Sequence, residues 1–192
     1  MSKKLPAVLF RQLARLYADM QTAYQQVADA IGLDCTDCED NCCHSYFQHH
    51  TNIEWAYLHK GLNTLPAEQK SMFLERAQTY VTDARQALHA GRKPDMICPL
   101  NVDGLCGLYE YRLMICRLHG VPNILRPPHA RPIAFPGCIK SQELARQTRL
   151  PCLDRTPLYI RLVQLEMEFC KVRPQKVDLT LAEMLVMEPP TL

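Results

Sequence analysis

The chain has 192 residues, ten cysteines, a net charge of +2 and a hydrophobic share of 47%. That length and apolar content suit one domain with a sizeable core, and they exclude wholesale disorder and recruitment to nucleic acid by bulk charge alone. No run approaches the roughly 18 uninterrupted apolar residues needed to span a bilayer, and Arg11 and Arg15 interrupt the segment where a secretory leader would lie. A cytoplasmic protein is expected, with no membrane partner. Thiols stay reduced in that compartment, so the cysteines point to metal or redox chemistry rather than to disulfides.

Leu9, Leu13, Leu16, Met20, Tyr24, Val27 and Ile31 recur at steps of three and four, predicting one long helix stopped by Gly32. Its stripe also approximates a heptad, so it could form a homodimer face as well as cover its own domain. Thr51 with Glu54 resembles a capping box before a helix whose face is Trp55, Leu58 and Leu62. Pro66 opens a third helix, with Met72, Phe73, Ala77, Tyr80, Val81, Ala84 and Leu88 inward and Gly91 at its end.

Asp103-Gly104 between two short apolar runs signals a tight turn. A short helix is expected from Tyr109 to Leu118, ending at Gly120. Five prolines between Val121 and Gly137 predict an extended loop with few backbone hydrogen bonds of its own. Residues 138–147 read as a short helix. Thr156-Pro157 reads as a cap and first-turn proline for a helix to about Val172, and Thr180 with Glu183 as the start of a last one. The expected fold is mainly α: a small helical domain with an irregular, metal-organised Cys-rich centre and a long N-terminal helix. Residues 1–33 form that helix, 34–150 the Cys-rich core and 151–192 a C-terminal helical segment.

The stretch CTDCEDNCC places Cys35, Cys38, Cys42 and Cys43 in one turn, and Cys98, Cys106, Cys116 and Cys138 follow. Four thiolates complete a tetrahedral zinc site or one cubane cluster. Cys35-x2-Cys38 lets a turn aim both sulfurs at one ion. Cys42 and Cys43 are adjacent, so their side chains diverge and more easily serve two metals, or one of them stands outside the ligand set. Spacing leaves one site and two sites equally open. Cys170, with Val163 and Met167, reads as helix core. The order C-x2-C-x3-C is not the C-x3-C-x2-C of radical enzymes, since Ser45 stands where that motif would place its last thiol.

CTDCEDNCC, TNIEWAYL, CPLNVDGLCGLYEYRLMICR and the late Cys138 together resemble the CxxCxxCC family of zinc- or iron-chelating proteins (YkgJ-like), over roughly Cys35 to Cys138. Two departures stand out: one extra residue in Glu39-Asp40-Asn41, and Leu113 where the family has proline, which should make the local helix more regular. The resemblance implies a metal site built from Cys35, Cys38, Cys42, Cys43, Cys98, Cys106, Cys116 and Cys138, and implies no particular activity. A flagellin lysine methylase carries a similar cysteine pattern in a longer chain, which brings protein or peptide modification, and a protein partner, into view.

From Asp34 to Glu54 there are five acidic residues and no Lys or Arg, whereas Arg112 to Arg149 holds seven basic residues against Glu143. Arg112 and Arg117 are placed to offset the negative charge of a thiolate site and to donate to sulfur behind the ligands. Arg126, Arg131 and Arg149 read equally as solvated. The basic stretch lacks an aromatic to stack on bases until Phe135, which argues against nucleic acid. His44, His49 and His50 read as surface or capping histidines rather than ligands. No hydrolase triad, phosphate loop or HExxH helix is present, so whether the protein is an enzyme stays open. The expected function is a cysteine-ligated metal protein, iron–sulfur before zinc, because surplus thiols and neighbouring arginines suit a tuned redox centre. The alternatives are a zinc-stapled interaction domain without catalysis and a thiol–disulfide oxidoreductase working through Cys35 and Cys38.

Overall fold

The computed structural model describes residues 4–35, 42–145, 151–171 and 177–190. The chain is mainly α-helical and opens with a long helix, α1 (Lys4–Ile31). Its contacts group it into two units, each assembled from two separated stretches: Met1–Cys42 with Met114–Glu168, and Cys43–Leu113 with Phe169–Leu192.

The first unit is built on α1. Leu9, Leu13, Leu16, Met20, Val27 and Ile31 are all buried, as the three-four spacing predicts. Gly32 takes φ +67. The Gly32 amide returns to the Asp29 carbonyl and the Leu33 amide to Ala28, closing the helix with a left-handed cap that satisfies its last carbonyls. Against α1 pack α4 (Met114–Leu118) and α5 (Ile139–Ala145).

The proline-rich stretch is not the unpaired loop expected. β3 (Asn123–Leu125) pairs antiparallel with β4 (Ile133–Phe135) and parallel with β5 (Leu153–Asp154), giving the order β4-β3-β5. The prolines flank the strands at Pro122, Pro127, Pro128, Pro132 and Pro136, so none removes a donor from the ladder. Buried Asn123 donates its side-chain amide to the Leu118 and Val121 carbonyls, tying β3 to the end of α4.

α6 (Thr156–Cys170) follows. Thr156 is its first residue rather than its cap: its amide donates to Asp154 Oδ1, and its hydroxyl accepts from the Arg126 amide. Met167, expected inward, is 60% exposed, while Leu158 and Leu162 are buried.

The second unit holds α2 (Asn52–Leu62), α3 (Ala67–His89) and α7 (Leu181–Val186). The capping box expected at α2 does not form. The Thr51 hydroxyl donates to the Glu54 carboxylate at 2.7 Å and makes no side-chain cap to the backbone. The box at α7 is complete, with Thr180 accepting from the Glu183 amide and Glu183 from the Thr180 amide.

In α3 the buried series is Phe73, Ala77, Tyr80, Val81, Ala84 and Ala87. Leu88 is 50% exposed, because the helical period carries the inward face to position 87. Gly91, at φ +68, ends α3 as Gly32 ends α1, with the Arg92 amide on the Ala87 carbonyl. β1 (Asn101–Val102) and β2 (Leu105–Cys106) form a two-residue hairpin. Its turn needs positive φ at both central positions, which Asp103 (φ 50) and Gly104 (φ 85) supply.

The single helix expected over Tyr109–Leu118 is broken. A 3-10 turn spans Tyr109–Tyr111, Arg112 is extended (ψ 136), and α4 starts at Met114. The extension delivers Leu113 into the apolar cluster of the second unit, fully buried. Leucine at position 113 therefore does not make the segment a regular helix.

Candidate metal centre

The two units divide the eight thiols that the sequence singles out. Cys35, Cys116, Cys138 and the backbone of Cys42 belong to the first unit, and Cys43, Cys98 and Cys106 to the second. Cys38 and the side chain of Cys42 lie outside the described residues. The described cysteines form no disulfide with one another.

In the first unit, Cys35 and Cys138 come to one locus. Cys35 follows the α1 cap, and its Sγ lies 3.9 Å from the Tyr24 hydroxyl. That hydroxyl crowds Gly120 so closely that a Cβ there would stand 2.2 Å from it. The Gly120 carbonyl in turn accepts the Cys138 amide at 3.2 Å.

Cys138 occupies the position before α5. The Ser141 amide donates to its Sγ at 3.5 Å, so the sulfur does the work an oxygen does at most helix starts. Gly137 precedes it at φ +85, and a Cβ there would meet the Gly120 carbonyl and the Ser141 hydroxyl, both at 2.8 Å. Lys140 reaches back to the Asp34 carbonyl, fastening the Cys35 turn to the Cys138 turn. Cys116 is half-buried on α4, beside Arg117.

In the second unit the thiols are linked through backbone. The Cys98 amide donates to the Cys43 carbonyl at 2.9 Å, and the Asn101 amide to the Cys98 carbonyl at 2.9 Å. Cys106 faces Asn101 across the hairpin. Cys98 and Cys106 both pack against the apolar cluster around Phe73, Tyr80 and Leu100. Burial pushes the Tyr80 phenol up to about 12, and negative charge at Cys98, Tyr46 and Glu183 pushes it the same way.

The two arginines expected behind the ligands have different surroundings. Arg117 is buried, with its guanidinium 4.0 Å from the Tyr17 ring centre. Arg112 is half-buried and stacks on Tyr109 at 4.1 Å. Arg126 is largely exposed and pairs with Asp154 at 3.3 Å. Arg149 lies outside the described residues.

Among the histidines, His44 pairs with Asp95 at 3.4 Å on the surface. His50 pairs with Asp178 at 2.8 Å. His49 is not a surface residue. It is buried, joined to Leu179 by backbone hydrogen bonds, and burial with the neighbouring His50 lowers its pKa to about 3.

Among the described residues, no three His, Cys, Asp or Glu side chains are grouped so as to hold a metal ion. Two of the eight expected ligands are missing from that set. What is described fits soft metals in donor chemistry: sulfurs that are half-buried at Cys43, Cys98, Cys106, Cys116 and Cys138 and exposed at Cys35, with a backbone N–H on the Cys138 sulfur. Sequence reasoning assigned Tyr24 to the apolar stripe and passed over Lys140 and Ser141. The signal for Tyr24 was a phenol among the apolar positions of the stripe.

No protein-family model matches the chain. No curated protein and no solved structure matches it either. Among the described residues, no helix is long and apolar enough to cross a membrane.

Proposed function

We propose that this chain is a cysteine-ligated metal-binding protein, holding an iron–sulfur cluster through thiolates drawn from Cys35, Cys38, Cys42, Cys43, Cys98, Cys106, Cys116 and Cys138. The observation that carries the reading is the locus in the first unit. Cys35 and Cys138, far apart in sequence, are fastened to the same few residues, and a backbone N–H is aimed at the Cys138 sulfur. Donors to sulfur offset the charge that ligating thiolates bring and raise the potential of a cluster. Arg112 and Arg117 add positive charge near Tyr109 and next to Cys116.

When bound, the cluster supplies one-electron chemistry. The chain's own residues hold the sulfurs, partly exclude water from them and fix their hydrogen bonds. A redox role follows, in its own right or within modification of a protein or peptide partner.

A second reading is favoured by the packing of Cys98 and Cys106 against the apolar cluster of the second unit. There the thiols would hold zinc as a staple that extends a small core, in an interaction domain without catalysis.

Purification without oxygen, followed by assay of metal, acid-labile sulfide and visible absorption, tests both. Iron with sulfide and a reducible visible band is the expected result. Colourless protein with stoichiometric zinc overturns the iron–sulfur assignment in favour of the staple, and protein without metal overturns both.

A further inference from the structure

We propose that Tyr24 is a positioning residue for the Cys35 sulfur, its phenol donating to the thiolate in the metal-bound protein. The inference rests on the metal-binding reading and adds a residue that the cysteine pattern does not contain. Three observations carry it.

The hydroxyl is 3.9 Å from Sγ, within reach of the long hydrogen bonds that sulfur accepts. A thiol and a phenol can each donate to the other, but a ligating thiolate has no proton, so the phenol must be the donor. Tyr24 belongs to the α1 stripe whose neighbours Met20, Val27 and Ile31 are buried aliphatics. Its ring satisfies that face, and packing alone has no need of the hydroxyl.

The third observation is the space cleared for it. The hydroxyl sits against Gly120, where any side chain would collide with it at 2.2 Å. The Gly120 carbonyl is the acceptor for the Cys138 amide. One phenol thus touches the Cys35 sulfur on one side and the backbone that seats Cys138 on the other. Lys140, bonded to the Asp34 carbonyl, holds the Cys35 turn in register from the α5 side. Partners behind metal ligands orient them and are worth about 10- to 100-fold in metal affinity.

The test is a titration of metal-free wild type and Tyr24→Phe with cobalt(II), which takes the same thiolate donors and reports on them through a sulfur-to-metal absorption band. The substitution keeps the ring, so α1 packing is preserved, and the melting temperature of the metal-free protein checks this. Tyr159→Phe, which removes an exposed phenol of the same unit, serves as the control.

The expected result is about tenfold weaker cobalt binding in Tyr24→Phe. The band should also move to longer wavelength, because sulfur lone pairs rise in energy when a donor is withdrawn. The metal-free melting temperature and the Tyr159→Phe titration should match wild type. Gly120→Ala, which retains the phenol but displaces its hydroxyl, should reproduce the band shift. Cobalt bound with unchanged affinity and band in Tyr24→Phe overturns this inference and leaves the metal reading standing. Wild type that takes up no cobalt overturns both.

Discussion

The backbone amide of Cys98 donates to the carbonyl of Cys43 over 2.9 Å. The last thiol of the opening cluster and the first of the later group are therefore held together by main chain, whatever their sulfurs ligate. If both serve one metal, Cys43→Ser and Cys98→Ser should lower metal per chain to the same extent. Cys152→Ser, at an exposed site, should leave it unchanged. Metal content of the three purified variants is the check.

Arg117 is buried, with its guanidinium over the Tyr17 ring at 4.0 Å. Arg117→Ala should cost about 2–3 kcal/mol in urea unfolding of the metal-free protein, from the lost desolvated cation–π contact and the lost packing of the stem. Arg126→Ala breaks an exposed pair with Asp154, and should cost no more than ~1 kcal/mol.

His49 should make the protein acid-labile. Its folded-state pKa, about 3, lies below the ordinary histidine value of 6.5. The contribution is therefore fully present above pH 6.5. Between the two values the unfolded chain takes up a proton that the folded one refuses, so stability falls with pH across that window. The slope is about 1.4 kcal/mol per pH unit, or roughly 2 kcal/mol lost by pH 5. His119, its pKa also lowered by burial, pushes the same way. Denaturant unfolding of metal-free protein at pH 7 and pH 5, with His49→Gln showing the shallower dependence, tests the sign.

Thr180 closes a reciprocal box with Glu183 at the start of α7. Thr180→Ala should cost about 1 kcal/mol, measured as a lower denaturant midpoint at constant m.

The helices were readable because their cause is local. The stripe from Leu9 to Ile31 and the series from Phe73 to Ala84 follow the helical period. Gly32 and Gly91 stop their helices because only glycine takes positive φ without cost. The sheet was not readable. β3, β4 and β5 are two or three residues each, too short to show alternation, and the parallel pair joins Asn123 to Leu153 across a long stretch of chain. Nor did residue types announce the break at Arg112, since its cause is the burial of Leu113 in a distant cluster. At the site, the thiols could be named from the sequence but not grouped. Which turn reaches which depends on single contacts such as Lys140 on Asp34 and Tyr24 on Cys35.

The second unit is composed of two stretches lying on either side of Met114–Glu168 in the chain. On the ribosome this imposes an order of events. α2 and α3 emerge first, but Leu181, Ala182, Met184 and Leu185 of α7 reach their shared cluster only after the whole of Met114–Glu168 has been made. Until then Phe73, Ala77 and Leu100 have an open flank, and nascent chains are most exposed to aggregation and to chaperones in that interval. The thiols of Cys98 and Cys106 wait through it too, beside apolar surface that α7 has yet to cover.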